Sequence, residues 1–217
     1  TDDDIGNLFD AITYEKGQTV LAMFEAWLGA DRFQAGVRRY LQRHAWGSAT
    51  GDDFFNALAV DDPALPVALR SFTRQPGIPL VTATLVCDDG APHLQLAQSR
   101  LLPLGSPGAP TPRWQLPLLM RSPAGTHRLL LTEATGTLAL PDKDCPAWLV
   151  LNAGGSGYYR VAHTGNGLDR QLAAPDLSIG ERLVMLDDAR GLHDAGLLSG
   201  EQVQALLQAL MQHRHGP

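Results

Sequence analysis

Gln75-Pro76-Gly77-Ile78-Pro79 divides this chain of 217 residues into two textures. Two prolines around a glycine do not continue a helix: each proline lacks a backbone donor and pushes the residue before it toward extended backbone. Ahead of this break, apolar residues recur at helical spacing. Val20, Phe24, Trp27 and Leu28 share one face, and Gly29 is placed to end that helix. Asp31 is placed to cap a second helix carrying Phe33, Val37, Tyr40 and Leu41. Thr50-Gly51-Asp52-Asp53 reads as a capping box before Phe54, Phe55 and Leu58. A short helix after Pro66 is expected to end near Phe72.

Beyond the break the pattern is β. Leu80–Val86, His93–Gln98, Trp114–Met120, Thr126–Leu131, Gly136–Leu140 and Trp148–Leu151 are short strand candidates separated by glycine and proline. Strands at this spacing suggest a small antiparallel β-sandwich. Leu102–Pro112, rich in Pro and Gly, reads as a loop. After His163 helix returns. Ser178 can cap a helix bearing Leu183, Leu186 and Ala189. Ser199-Gly200-Glu201-Gln202 looks like a capping box for another, bearing Val203, Leu206, Leu207 and Leu210. Joined through Gly196-Leu197-Leu198, the two form an αα-hairpin. A lone helix pair buries little, so further helices of a solenoid are expected to follow.

Composition narrows the function classes. An apolar fraction of 44% is ordinary for a globular core. The net charge of −6, with no basic cluster, argues against nucleic acid as a partner. No apolar run approaches the roughly 18 residues of a membrane span. No signal peptide is visible, but Thr1 is not a natural start and a preceding segment is expected. Cys87 and Cys145 lack C-x-x-C spacing and a histidine at ligand spacing, so a zinc knuckle is not expected. The simpler reading is two free thiols. The alternative is one disulfide, which requires an oxidising compartment. Only Lys16 and Lys143 stand against many arginines, a bias that hints at a GC-rich bacterial genome. Cytoplasm and periplasm both stay open.

Three segments carry a family likeness. Phe9-Asp10-Ala11-Ile12-Thr13-Tyr14-Glu15-Lys16-Gly17 resembles the F-D-x-[IV]-[ST]-Y-x-K-G signature of M1-family zinc aminopeptidases. Phe72-Thr73-Arg74-Gln75-Pro76-Gly77-Ile78-Pro79-Leu80-Val81 resembles that family's W-T-x-Q-x-G-[FY]-P-[LV]-[LIV] segment, with Phe72 in place of tryptophan and Ile78 in place of an aromatic. Asn152 to Val161 resembles its N-x-x-x-x-G-[FY]-Y-R-V segment. The three occur in family order, and the likeness covers nearly the whole chain.

On its own, Tyr14 reads as a packing aromatic with its hydroxyl at the rim. The resemblance implies a different role. Such enzymes hold zinc through H-E-x-x-H and a glutamate on the next helix, and the metal-activated water attacks the scissile carbonyl. The tyrosine matching Tyr14 then donates a hydrogen bond to the resulting oxyanion. A phenol of pKa about 10 suits that task, because it stays protonated at neutral pH and adds no charge. H-E-x-x-H is absent from this sequence, as are H-x-x-E-H and G-x-S-x-G. His213 and His215 have H-x-H spacing but are too few for a zinc site, and the other histidines are scattered. Gly154, Gly155 and Gly157 lack the context of a phosphate loop and read as a turn.

The resemblance therefore implies a fragment lying after the zinc site. Residues 1–76 would be the last helices of a thermolysin-like catalytic domain, 77–163 the sandwich, and 164–217 the first helices of an α-helical domain. Zn²⁺ is expected in the full-length parent and none in this chain, which is expected to be inactive alone. Its partners would be a peptide substrate in the parent and the missing catalytic-domain segments. Phe24, Trp27, Phe54 and Phe55 are expected to face those segments, leaving apolar surface and a tendency to self-associate. Glu15 and Lys16 read as surface or supporting groups, Gly17 as a close helix contact, and Arg160 as pairing across domains. A rival reading is a non-catalytic structural or peptide-binding module built on the same sandwich. Tyr14 argues against it, since such a module has no use for that phenol.

Overall fold

The computed structural model describes residues 11–59, 62–87, 91–109 and 111–212, with side chains described from Tyr14 onward. The fold is α+β, and the chain divides into two compact units. The first comprises residues 1–75 with Ser156–Tyr158, and the second comprises Pro76–Gly155 with Tyr159–Pro217.

In the first unit four helices follow one another: α1 (Ala11–Leu28), α2 (Ala30–Arg43), α3 (Gly51–Leu58) and α4 (Ala64–Thr73). Gly29 ends α1 at φ +86°, a conformation that favours glycine. Its N–H donates to Glu25 O at 2.8 Å, and its own carbonyl accepts from Phe33 N, so Gly29 rather than Asp31 stands at the N-cap of α2. Asp31 instead sits in the first turn, where a carboxylate suits the helix dipole. The capping box on α3 forms as its sequence suggests: Asp53 N donates to Thr50 Oγ1 and Thr50 N to Asp53 Oδ2. Gly36 lets α2 pass close to α3, because a Cβ there would lie 2.7 Å from Leu58 Cδ2. Phe24 is fully buried, edge-on to Phe72 at 5.8 Å, and Phe72 meets Tyr158 at 6.2 Å. The expectation that Phe24 faces outward is thus corrected: its partner comes from α4, within the same unit. Trp27, Phe54 and Phe55 are half-buried, and Phe54 packs edge-on to Tyr40 at 5.1 Å.

Among the described residues the second unit holds two sheets and three α-helices. Strands β1 (Ile78–Val86), β2 (His93–Leu101), β5 (Thr135–Ala139) and β6 (Arg160–His163) form a sheet in the order β5-β2-β1-β6. β1 and β2 are antiparallel with Ile78 opposite Leu101, whereas β6 runs parallel to β1 with Leu80 opposite Arg160. β3 (Leu116–Ser122) and β4 (Gly125–Leu131) form a separate antiparallel hairpin. Trp148–Leu151, expected as a strand, makes only one bridge, Val150 to Arg121. Its residues are nonetheless core: Leu149, Val150 and Leu151 are all buried. The buried Gln98 links the sheets' neighbourhoods, exchanging hydrogen bonds with the Trp114 backbone (2.9 Å each way) and donating to Glu133 O at 2.8 Å.

The helices are α5 (Gly167–Leu172), α6 (Ile179–Asp194) and α7 (Gly200–Gln212). α5 has no counterpart in the sequence reading. Ser178 and Glu181 close a capping box on α6, and Ser199 and Gln202 exchange the corresponding bonds on α7. The αα-hairpin forms around Gly196 at φ +71° and packs Met185, Ala189, Leu206 and Leu210 against Val150, Ala174 and Leu177. Cys87 and Cys145 are joined in a disulfide, which replaces the simpler reading of two free thiols. The two positions lie 58 residues apart, and nothing in their spacing distinguishes a bridge from two thiols.

Candidate functional site

Tyr14 lies in the first turns of α1, and its side chain is 61% exposed. Phe9 and Asp10 of the same signature lie outside the described residues. Two residues on, the Lys16 ammonium donates to Gln75 O at 2.9 Å. Burial lowers the Lys16 pKa, as expected for a half-covered ammonium. The bond ties the Tyr14 signature to the Gln75 end of the second signature across 59 residues of sequence. Lys16 is therefore an internal strut and not simply a surface group. Glu15 is exposed, and its carbonyl accepts from Thr19 Oγ1 at 2.7 Å. Gly17 makes no close approach: a Cβ built there meets nothing within 4 Å among the described residues.

A cleft of about 500 Å³ adjoins this helix, lined by Lys16, Gly17, Val20 and Leu21 on one side and by Phe54, Phe55 and Phe72 among others on the opposite side. Tyr14 is not among its lining residues, so the structure does not bring the tyrosine and the cleft into one site. The openness around Gly17 belongs to this cleft, where the sequence suggested a packed helix contact.

The third signature has a structural character. Tyr159 is buried, and its hydroxyl donates to Leu151 O at 3.2 Å. Burial raises its pKa, reinforced by the charge of Asp188. Arg160 pairs with Asp187 of α6 at 3.3 Å, a partner within the same compact unit rather than across units. A larger ionic centre escaped the sequence reading. Arg121 on β3 forks onto Glu181 with Nε–Oε1 2.8 Å and Nη2–Oε2 2.9 Å, reaches Asp176 with Nη1 at 2.9 Å, and lies over the Trp148 ring. Glu181 also accepts from Ser178 N and Gly154 N. Burial alone would raise its pKa, but the Arg121 fork and the two amides outweigh it and hold the carboxyl below the usual range. The S-x-x-E capping box pointed to Glu181, but nothing local pointed to its partner 60 residues away.

Among the described residues, no three His, Cys, Asp or Glu side chains gather as a metal site. A catalytic zinc needs three protein ligands, and the described side chains do not supply such a group.

Residues 1–75 match the Peptidase family M1 domain. Aminopeptidase N of Lactococcus lactis subsp. lactis (strain IL1403) is 32% identical over 213 residues, covering 95% of this chain and 24% of that protein. Residues 1–75 belong to the M1 peptidase family, and the rest of the chain is similar to M1 aminopeptidases. Aminopeptidase M1 of Arabidopsis thaliana is 31% identical over 211 residues, covering 87% of this chain and 23% of its own length. Aminopeptidase 2 of Candida albicans is 27% identical over 214 residues, 95% of this chain and 23% of that protein. The chain spans about a quarter of the length of these M1 relatives. The matches run well past residue 75, so all three signatures fall in M1-like sequence.

Proposed function

We propose that this chain is part of a zinc-dependent M1 aminopeptidase that removes N-terminal residues from peptides, and that Tyr14 is its contribution to the chemistry. In this reading residues 1–76 end the thermolysin-like catalytic domain. Residues 77–163 form the β-sandwich domain, and 164–217 open an α-helical solenoid. The zinc ligands belong to other parts of the parent, so this chain alone neither holds the metal nor turns over substrate.

The observation that carries the proposal is the exposure of the Tyr14 phenol on a helix whose neighbouring signature residue, Lys16, is anchored. An anchored helix fixes where the phenol stands, and an open phenol can meet a substrate. Tyr14 donates its hydroxyl proton in a hydrogen bond to the oxyanion that forms on the attacked carbonyl. A donor aimed at charge that exists only in the transition state lowers the barrier without tightening ground-state binding. Removing one such donor costs about 3–4 kcal/mol.

The test is Tyr14→Phe in the full-length, zinc-loaded parent. kcat should fall by about 10²–10³ while KM changes little. Activity within about threefold of wild type would remove the assignment.

A further inference from the structure

A cavity of about 80 Å³ lies between β6, α5, α6 and α7. Its walls are largely apolar, with Leu168, Met185, Ala189, Leu192 and Leu206 among them. Three polar side chains interrupt this lining: His163 of β6, Gln171 of α5 and Asp188 of α6. Gln171 and Asp188 are only 4% and 7% exposed. Gln171 Oε1 and Asp188 Oδ1 have no hydrogen-bond partner among the described residues. A buried polar atom left unpaired is costly, and native interiors rarely hold one without a bound donor. The cavity is several times larger than the roughly 10–15 Å³ that one water needs, and it offers water more than one polar partner.

We propose that this cavity is a solvent site, in which fixed water molecules donate to Gln171 Oε1 and Asp188 Oδ1 beside His163, and that this polar cluster makes the seat of α6 on β6 sensitive to pH. The surroundings of Asp188 explain why its carboxyl is neutral. Arg160 is the cation facing it from β6, but Arg160 Nη2 engages Asp187 at 3.3 Å, and its Nε stays 4.0 Å from Asp188 Oδ1. The Val161 amide donates to the carboxyl, Asp187 on the same helix repels its charged form, and the Tyr159 phenol lies within electrostatic reach. α5 contributes the uncharged Gln171, and α7 contributes the apolar Leu206. Burial dominates and pushes Asp188 up to about 8. Burial likewise lowers His163 to about 4, opposed by the Gln171 side chain, so the imidazole is neutral at pH 7. The third signature thereby gains a role that the peptidase chemistry does not supply: Arg160 and Val161 together hold one helix turn of α6.

The two groups act on stability in opposite directions. Asp188 binds its proton more tightly when folded (about 8) than when unfolded (3.8), so stability falls as pH rises across that span. His163 binds its proton less tightly when folded (about 4) than when unfolded (6.5), so stability rises across its own span. Below about 6.5 the two effects offset each other, which leaves a net loss between pH 6.5 and 8.

The experiment is urea unfolding of the 217-residue chain from pH 6 to 9, for wild type and Asp188→Asn. For wild type, the unfolding constant of the second unit should rise about 8-fold between pH 6.5 and 8, the Asp188 effect less the opposing one of His163. Asp188→Asn keeps its hydrogen-bonding groups and cannot ionise, so its profile should not rise there. Equal slopes in the two proteins would overturn the proposal. Should the variant not fold, carbon-13 titration of the wild-type Asp188 carboxyl decides: a midpoint near 8 supports the proposal, and one near 4 sinks it. Magnetic contacts from long-lived water to the Gln171 side-chain amide are expected, and a dry cavity would also overturn it.

Discussion

In the first unit the signature tyrosine, Tyr14, leaves its phenol open to solvent. In the second unit Tyr159 is buried and donates to a backbone carbonyl. Both belong to segments that stand out in the sequence for the same family likeness, yet they answer to different physics. A hydroxyl with a buried internal acceptor works for the fold, and its loss leaves a carbonyl unpaired. A tyrosine that is mostly exposed contributes little to the core and can be reached by a substrate. A motif residue therefore needs its burial and its acceptor before it can be given a role.

The strongest test of this contrast falls on the ionic centre of the second unit. Glu181→Ala removes a buried carboxylate that serves Arg121, Ser178 and Gly154 at once. Leaving the half-buried Arg121 without its fork should cost about 3–5 kcal/mol, read by denaturant unfolding at pH 7. Because the Glu181 pKa is depressed in the fold, that contribution is present above its unfolded value of 4.5 and is lost as pH falls through the folded one. Wild type and variant should then converge in acid.

The disulfide gives the next effect. Cys145→Ser should cost about 2–4 kcal/mol, and reductant should weaken wild type to the same level while leaving the variant unmoved. Tyr159→Phe should cost about 1–3 kcal/mol through the orphaned Leu151 carbonyl, seen as a lowered melting temperature. Tyr14→Phe should move stability by less than about 0.5 kcal/mol in the same assay. If it cost as much as Tyr159→Phe, the contrast between the two tyrosines would collapse.

What was legible in the sequence was mostly local. The boxes at Thr50-Asp53, Ser178-Glu181 and Ser199-Gln202 span one helical turn each, so sequence alone contains both partners. The Gln75–Pro79 break and the alternation of β2 are local in the same sense. The misreadings needed distant partners. Phe24 looked outward because Phe72 is far away in sequence. Trp148–Leu151 looked like a strand because a buried apolar run reads alike in a strand and in a buried loop; here Leu149 N bonds Arg170 O instead of a neighbouring strand. α5 is six residues long, and its Asn166 N-cap makes no side-chain bond, so it carries almost no capping signal. For the site, family likeness pointed to Tyr14 and geometry added the anchor at Lys16. The cavity group of His163, Gln171 and Asp188 comes from three separate elements, and no spacing rule unites them.

The parallel pairing of β6 on β1 carries a consequence for synthesis. β2 can join one side of β1 as soon as a short connection has been made, but the other side, along Leu80–Ala83, has no partner until residues 160–163 emerge from the ribosome. Throughout that interval the nascent chain presents an open strand edge of Leu, Val, Thr and Ala, the kind of template that recruits stray strands. Translation speed through the segment between β2 and β6, and any chaperone that shields this edge, should therefore govern the yield of folded protein more than the final stability does.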